Sequence, residues 1–513
     1  MNNMNMNFEN IPAEKFRFVQ ENEKLHDKKL ETKARSFFQD AMLRFSKNKS
    51  SVIAAWILLF LIIYAIVAPM ISPYDITKDQ DPLYRSYPAY VPAIAEKGWG
   101  ILDGSTIHEN QNERSIKFWR GIAEETGLNP VIKTAGTSTV ERMHRGKLVK
   151  TTATNLKVNR YYENGVIYKT VSYDEFEKMQ AWQDETGIQL IYPWVEYGDI
   201  CGIKDNANLW YQVDEKGEAL LDANGNFVPV YSSNKKVEGA PYHSQRIEGD
   251  DGSYIYAFAV SGACRVRVCY YNYYQYLNGR EPTYLLGTST KGQDLFAAIG
   301  QGARFSLIFA LCVSVINMVL GAIYGAIQGY YGGMVDMILD RISDVLSGVP
   351  MVVVMSLFQL HLAAKVGPLW SFLFAFVLTG WIGMAALVRK QFYRFKSQEF
   401  VMAARTLGAS DKRLMFKHIF PNAIGTIITS CALIIPGTIN SETSFTYLGI
   451  VDLEAIVGTT IGTLLSQGNA AVTTAPHVLL WPSIFIGLLM ICFNLFGNGL
   501  RDAFNPSTRG AED

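Results

Sequence analysis

Twenty residues from Ser51 to Met70, SVIAAWILLFLIIYAIVAPM, carry no charge. A helix rising about 1.5 Å per residue over such a run crosses the ~30 Å hydrocarbon core of a bilayer. Lipid offers no hydrogen bonds to backbone N–H and C=O groups, so a run of this kind folds as a helix. It lies too far from the N-terminus to be a removable signal peptide, and no small-residue cleavage site follows it. Five further apolar stretches follow: Phe305 to Gly329, Val349 to about Ala364, Pro368 to Val388, Asn422 to about Ile439, and His477 to Phe496. The stretch from Val349, third of the six, is the shortest and carries His361. One such stretch could be a buried core helix; six in one chain predict a polytopic membrane protein with six transmembrane helices.

Net charge is zero, but it is unevenly placed. Residues 73–285 hold 23 Lys+Arg and 28 Asp+Glu. Lys28, Lys29, Lys33, Arg35, Arg44, Lys47 and Lys49 precede the first span, and Arg389, Lys390, Arg394, Lys396, Arg405, Lys412, Arg413 and Lys417 follow the fourth. Basic residues near span ends stay cytoplasmic. Both clusters, separated by an even number of spans, predict cytoplasmic termini and an extracellular 73–285 segment in a plasma-membrane protein. They flank spans, so they do not point to nucleic acid; contact with anionic lipid is compatible with them. The predicted organisation is a cytoplasmic segment 1–50, a span at 51–72, an extracellular insertion 73–285, five spans within 286–500 with a cytoplasmic loop at 389–421, and a cytoplasmic tail 501–513.

Phe37 to Phe45 reads as an amphipathic helix on the inner membrane face, with Phe37, Phe38, Met42 and Phe45 on one side and Arg44 and Lys47 available to lipid phosphates. The insertion is long enough for its own core and reads as a strand-rich α+β domain. VIYKTV (166–171) and CRVRVCY (264–270) read as strands. Asn164-Gly165 and Asn224-Gly225 carry hairpin-turn chemistry. Ser172 and Glu175 form a capping box before a helix that Gly187 ends. Asp222, Asn224 and Asn226 begin like a calcium loop, but Phe227 occupies the sixth position, where the sharp turn needs glycine, so a simple turn is expected. Cys201, Cys264 and Cys269 fall in this external segment, where an odd number permits one disulfide and one free thiol. Cys312, Cys431 and Cys492 lie in apolar spans and read as packing residues. No spacing resembles a metal site.

The chain has no G-x-x-x-x-G-K-[ST] phosphate loop, no H-E-x-x-H zinc helix and no G-x-S-x-G nucleophile elbow. Its spans are nearly free of ionisable residues, unlike those of proton-coupled pumps. No catalytic, cofactor-binding or metal residue is expected, and uphill transport would need energy from another chain. Gly321, Gly325 and Gly329 share one helix face at four-residue spacing, where another backbone can approach closely, within this chain or on a partner. Glu442 lies just past the fifth span, as a path residue or an interfacial acid. EFVMAARTLGASDKRLMFKHIFPN (399–422) predicts a hairpin outside the membrane: a helix over Glu399 to Thr406 with Ala403 and Ala404 on a tight-packing face, a turn at Gly408, and a second short helix over Asp411 to Phe420 before Pro421 starts the next span.

That stretch resembles the EAA-type loop of ABC importer permeases, in the version found in the C-type permease subunit of oligopeptide/dipeptide importers. Four other blocks agree in order: residues 44–75, LLGTSTKGQDLFAAIGQGARFSL (285–307), GYYGGMVDMILDRISDVLSGVP (329–350) and FNLFGNGLRDAFNP (493–506). The match covers roughly residues 35–75 and 285–506. It implies a type I ABC importer permease fold, all-α apart from the inserted α+β domain, and alternating access. It implies as partners a second homologous permease, two cytoplasmic ATPases that bind ATP and Mg, an external lipoprotein delivering a peptide substrate, and the lipid bilayer. Glu399, Ala403, Ala404 and Gly408 match as ATPase-coupling positions, with Asp411 opening the second half of the loop. Two departures stand out. Gln293 replaces a frequent Arg, and residues 441–460 keep the acid and Leu-Gly of the family but diverge from its Trp-containing segment. The largest departure is the insertion itself, expected to orient the lipoprotein or cover the external mouth. Two alternatives share these features: a membrane-anchored sensor, and a permease of the same family for nickel or another solute.

Overall fold

The computed structural model describes residues 37–74, 83–111, 113–144, 147–194, 207–208, 211–212, 221–225, 242–243 and 247–504. Helix α1 (Phe37–Lys47) leads into α2 (Lys49–Ile71), the first span, with Asn48 between them as N-cap. Only part of the apolar face expected for α1 is free to meet lipid. Ala41 and Phe45 are buried against Ala503 and Phe504 at the C-terminal end of the last helix, and Met42 remains exposed. The side chains of Phe37 and Phe38 lie outside the described residues.

The insertion opens with a single helical turn α3 (Pro92–Ala95), strand β1 (Ser105–Gln111) and helix α4 (Glu113–Thr126). A long hairpin, β2 (Val131–His144) and β3 (Lys147–Asn159), joins β1 in a three-stranded sheet ordered β1-β3-β2. A second sheet follows from β4 (Val166–Val171), helix α5 (Tyr173–Thr186), β5 (Ile191–Tyr192), β8 (Ala257–Val260) and β9 (Ala263–Cys269); β6 (Tyr211–Gln212) and β7 (Tyr242–His243) pair separately. The two strands expected at 166–171 and 264–270 are β4 and β9, antiparallel partners from Val166–Cys269 to Val171–Cys264. Asn164-Gly165 does not close a hairpin: β3 and β4 belong to different sheets, and the turn carries the chain between them. Its geometry is nonetheless that of a tight turn, with Gly165 at φ +55°. Ser172 caps α5 by accepting from the Glu175 N–H, and Gly187 ends it at φ +71°. The Glu175 carboxylate instead accepts from the Tyr276 hydroxyl at 2.7 Å. Asp222 to Gly225 is a turn in which Asp222 accepts from the Asn224 N–H at 2.8 Å; the strand-like run after it lies outside the described residues.

Helix α6 (Tyr270–Asn278) returns the chain to the membrane through a tyrosine-rich core that includes Tyr74, Tyr84, Tyr87, Tyr90, Tyr161 and Tyr284. The two ends of the insertion meet. The rings of Tyr74 and Tyr284 stack at 4.6 Å, and Ser72 Oγ donates to Asp294 Oδ2 at 2.8 Å. Asp294 is also the N-cap of the next helix, accepting from the N–H groups of Phe296 and Ala297. Gly287 sits at φ +85° against the Tyr87 carbonyl, a place that no side chain could share.

The membrane part is built around α7 (Leu295–Tyr331), which contributes to three separate apolar cores. Five helical stretches are long and apolar enough to cross a bilayer: Lys49–Ile71, Leu295–Tyr331, Pro368–Lys396, Asp411–Tyr447 and Pro476–Phe504. The third expected span is not one straight helix. Helix α8 (Gly333–Ser347) is bent by 74° from the segment Met351–Val366, which consists of α9 (Met351–Leu357), a π-turn at Phe358–Leu362 and α10 (Ala363–Val366). Pro350, lacking an N–H, precedes α9 at the break. Counted as one span, this pair brings the total to six. The fourth span is α11 (Pro368–Gly380) continued by α12 (Ile382–Lys396). Next come α13 (Glu399–Thr406), α14 (Asp411–Arg413), α15 (Phe420–Tyr447), a turn α16 (Glu454–Val457), α17 (Ile461–Ala470) and α18 (Pro476–Phe504). The result is a helical, multi-span membrane fold with strand-containing sheets placed between its first two spans.

Candidate functional site

The segment after α12 forms the hairpin expected from its sequence at its first half and departs from it at the second. Glu399 lies exposed in the first turn of α13, where a negative charge suits the helix dipole. Gly408 turns the chain at φ +83°, with nothing near a would-be side chain, so the demand for glycine there is conformational. The Ala409 N–H reaches back to the Ala404 carbonyl at 3.1 Å and closes the end of α13. Asp411 does not start a separate short helix. α14 runs through a π-turn, Leu414–Ile419, directly into α15, and residues 411–447 form one continuous helical span. Pro421 follows directly on the π-turn, where the regular helical hydrogen-bond ladder is already interrupted, so the helix continues past it.

The base of the hairpin is held on one face. Val401, Leu414 and Ile419 are fully buried in a core shared with Tyr330 of α7 and Phe392 of α12. Ala404 is half-buried against that core, whereas Ala403 is exposed. The Tyr330 hydroxyl donates to Asp411 Oδ1 and accepts from Arg405 Nη2 at 3.3 Å, tying both arms to the end of α7. Beside it, Arg389 bonds Asp336 at 2.6 Å and Asp340 at 2.8 Å, and the Lys396 ammonium donates to the Gly329 carbonyl at 3.0 Å. Among the described residues nothing covers the opposite face. Leu407 at the tip is 88% exposed, and Phe400 and Met402 stand beside it in solvent. Reading by motif missed these three; the cue was apolar residues set off the Val401 face of an otherwise solvated helix. The hairpin is thus fixed at its root against α7 and α12 and carries an exposed apolar tip.

Gly321, Gly325 and Gly329 meet α12 of the same chain. Each would place a Cβ against backbone of that helix: Trp381 and Ala385 for Gly321, Ala385 for Gly325, Arg389 for Gly329. The seam is therefore internal. Glu442 is not past the fifth span but inside α15, and it is fully buried. Its Oε2 accepts from Ser306 Oγ of α7 at 2.6 Å and from Thr443 Oγ1 at 3.3 Å. It joins two spans here and does not line an open surface. Gln293 is buried and accepts from Thr459 Oγ1 at 3.2 Å, at the start of α7. Cys264 and Cys269 are both buried free thiols at opposite ends of β9, so no bridge joins them; Cys201 lies outside the described residues. Burial pushes the Cys269 thiol up to about 11.

Comparison with known proteins places these elements. Residues 318–510 match the family described as the binding-protein-dependent transport system inner membrane component, and residues 36–91 match the N-terminal transmembrane domain of oligopeptide transport permease C. The oligopeptide transport system permease protein of Bacillus subtilis is 38% identical over 223 residues, 44% of this chain and 72% of that protein. The dipeptide transport system permease protein of the same organism is 35% identical over 224 residues, 44% of this chain and 68% of that protein. A methionine ABC transporter in inward-facing form covers 40% of this chain and 96% of its own at 13% identity and a TM-score of 0.34, a likeness too slight to carry any argument. The two family matches both fall on the helical part and the entry to the insertion, and the identity to the relatives extends over most of their length. The chain is a multi-pass membrane protein of the oligopeptide and dipeptide ABC transport permease family.

Proposed function

We propose that this chain forms half of the translocation path of an ATP-driven importer for oligopeptides or dipeptides and does no catalysis itself. A second, homologous permease completes the path. Two cytoplasmic ATPases bind ATP and Mg and dock on the hairpin, using Glu399, Ala403, Ala404, Gly408 and Asp411 with the apolar tip at Leu407. The observation that carries this reading is the hairpin's division into a buried root and a bare tip. Closure of the ATPases would push the tip, and the root would pass that motion to α7 and α12. Only a partner that binds one state better than the other can drive such a change. Both termini are cytoplasmic in this reading, residues 73–285 are extracellular, and an external lipoprotein delivers the peptide. The insertion, which the two family matches reach only over residues 73–91, orients that lipoprotein or covers the mouth; its tyrosine-rich junction with the spans supports a fixed placement.

Peptide-stimulated ATP hydrolysis by this chain co-assembled with its partner permease and ATPases in a membrane scaffold tests the proposal. Stimulation that vanishes in Gly408→Arg, with the spans still folded, is expected. Assembly with hydrolysis but no peptide response refutes the substrate class, and failure to bind any ATPase refutes the coupling role. Uptake unchanged after removal of residues 85–275 would refute the role given to the insertion.

A further inference from the structure

Helix α7 and the α14–α15 helix line a groove of about 620 Å³. Ala322, Ala326 and Ile427 form its buried floor, and Ile323, Ile424 and Phe416 form exposed rims that no other described residue covers. Its α7 wall runs from Met318 to Tyr331, a rise of about 20 Å and so about two-thirds of the ~30 Å hydrocarbon core. Over that length its lining is almost wholly apolar. Among the described residues lining it, Lys412 is the one charged group, and it stands at the hairpin end. A long apolar groove with a lysine at its hairpin end suits an acyl chain below an anionic headgroup.

We propose that this groove holds an acyl chain of an anionic phospholipid whose phosphate rests on Lys412. The lipid belongs to the leaflet nearer the hairpin. Met415 and Phe416, which line the groove, belong to the π-turn Leu414–Ile419, and turns of this kind are over-represented at functional sites. The same turn buries Leu414 and Ile419 in the hairpin root beside Val401. An occupied groove therefore braces the element that holds the hairpin, and an empty one leaves that element with apolar surface unsupported. The site concerns the chain's fit to its membrane and does not depend on which solute is carried.

The test uses photoactivatable acyl-chain phosphatidylglycerol or phosphatidylcholine in nanodiscs, with labelled residues mapped by mass spectrometry. The chain is labelled alone and in the assembled transporter, so that failure of the permease reading leaves the lipid result standing. Label is expected on Ile323 and Ile424, with phosphatidylglycerol favoured roughly fivefold, the ratio that one basic residue near an anionic surface supplies. Lys412→Gln should bring that ratio to about one while acyl labelling persists, because only the headgroup contact is lost. Ile424→Trp should plug the groove and abolish labelling there, leaving labelling of the exposed Phe60 on α2 intact as proof of folded, embedded protein. Wild-type protein labelled at Phe60 but not in the groove would overturn the proposal. So would equal labelling by both lipids, since Lys412 would then hold no headgroup, or an Ile323→Cys variant that cross-links to the partner permease, since the occupant would then be protein.

Discussion

Gly325→Ala should destabilise the protein even though alanine is the better helix former. A Cβ at Gly325 would lie 2.9 Å from the carbonyl carbon of Ala385 and 3.0 Å from its Cα, and closer still to its carbonyl oxygen. Ordinary contact begins at 3.4 Å, so α7 and α12 must part by at least 0.5 Å. No rotamer relieves the clash, because the obstructing atoms are main chain. A gap of about 0.5–1 Å forfeits a quarter to a half of each dispersion contact along the seam, and overpacking of this kind typically costs about 1–3 kcal/mol. Replacing glycine by alanine in a helix returns about 1 kcal/mol, so the net loss should be up to about 2 kcal/mol. Gly487 in α18 has nothing within 4 Å of its Cβ position and provides the contrast. There the same change should be neutral or stabilising by up to about 1 kcal/mol. Reversible unfolding of the two variants in mixed micelles measures both signs. Equal stabilities, or a more stable Gly325→Ala, would refute the reading of the seam as a backbone-to-backbone contact within one chain.

Four further outcomes are expected. At Gly408, where φ is +83° and space is open, Asn should be tolerated better than Val by about 1–2 kcal/mol, seen as retained against lost ATPase coupling at equal membrane insertion. Arg267 is fully buried and bonds Glu125 at 2.8 Å, so Arg267→Ala should destabilise the insertion by about 3–5 kcal/mol in a thermal melt, and a paired apolar replacement of both residues by much less. Because burial raises the Cys269 thiol to about 11, a maleimide at neutral pH should modify it only after unfolding, read by mass shift. Burial pushes the Asp103 carboxyl up, but hydrogen bonds from Lys157 and Ser105 more than offset this and hold it below its usual value. A lowered carboxyl contributes stability that is present above its unfolded value and is lost as pH falls through its folded one. Asp103→Asn should therefore remove part of the acid sensitivity of the insertion's melt below about pH 4.

The spans were legible because a bilayer imposes length and apolarity directly on the sequence. The hairpin turn was legible because Gly408 marks a conformation that few residues adopt. β4 and β9 could be read from alternation, but not that Asn164-Gly165 leads between two sheets. The same turn chemistry serves a hairpin and a crossing, and the choice is made by distant pairing. The glycine face of α7 was visible, but its partner was not, since three glycines specify close approach without naming what approaches. Residues 411–447 read as two helices because Pro421 looks like a start, yet proline fits the first turn of α15 while a π-turn joins it to α14. Glu442 was placed at an edge because acids avoid lipid. Ser306, which shelters it, is 136 residues away. The buried pair of Arg267 and Glu125 left no pattern at all, because its members sit on a strand and a helix 142 residues apart.

The meeting of Ser72 with Asp294 and of Tyr74 with Tyr284 bears on how such a chain is assembled. The entropy of closing a long loop rises only slowly, by about 0.6 kcal/mol for each doubling of length. With the two ends pinned side by side, the first two spans experience the two hundred residues between them much as they would a short connector. The insertion thus resembles a detachable cassette. A defect deep inside it should reach the spans through this base, which also sets Tyr87 against Gly287 and Thr288.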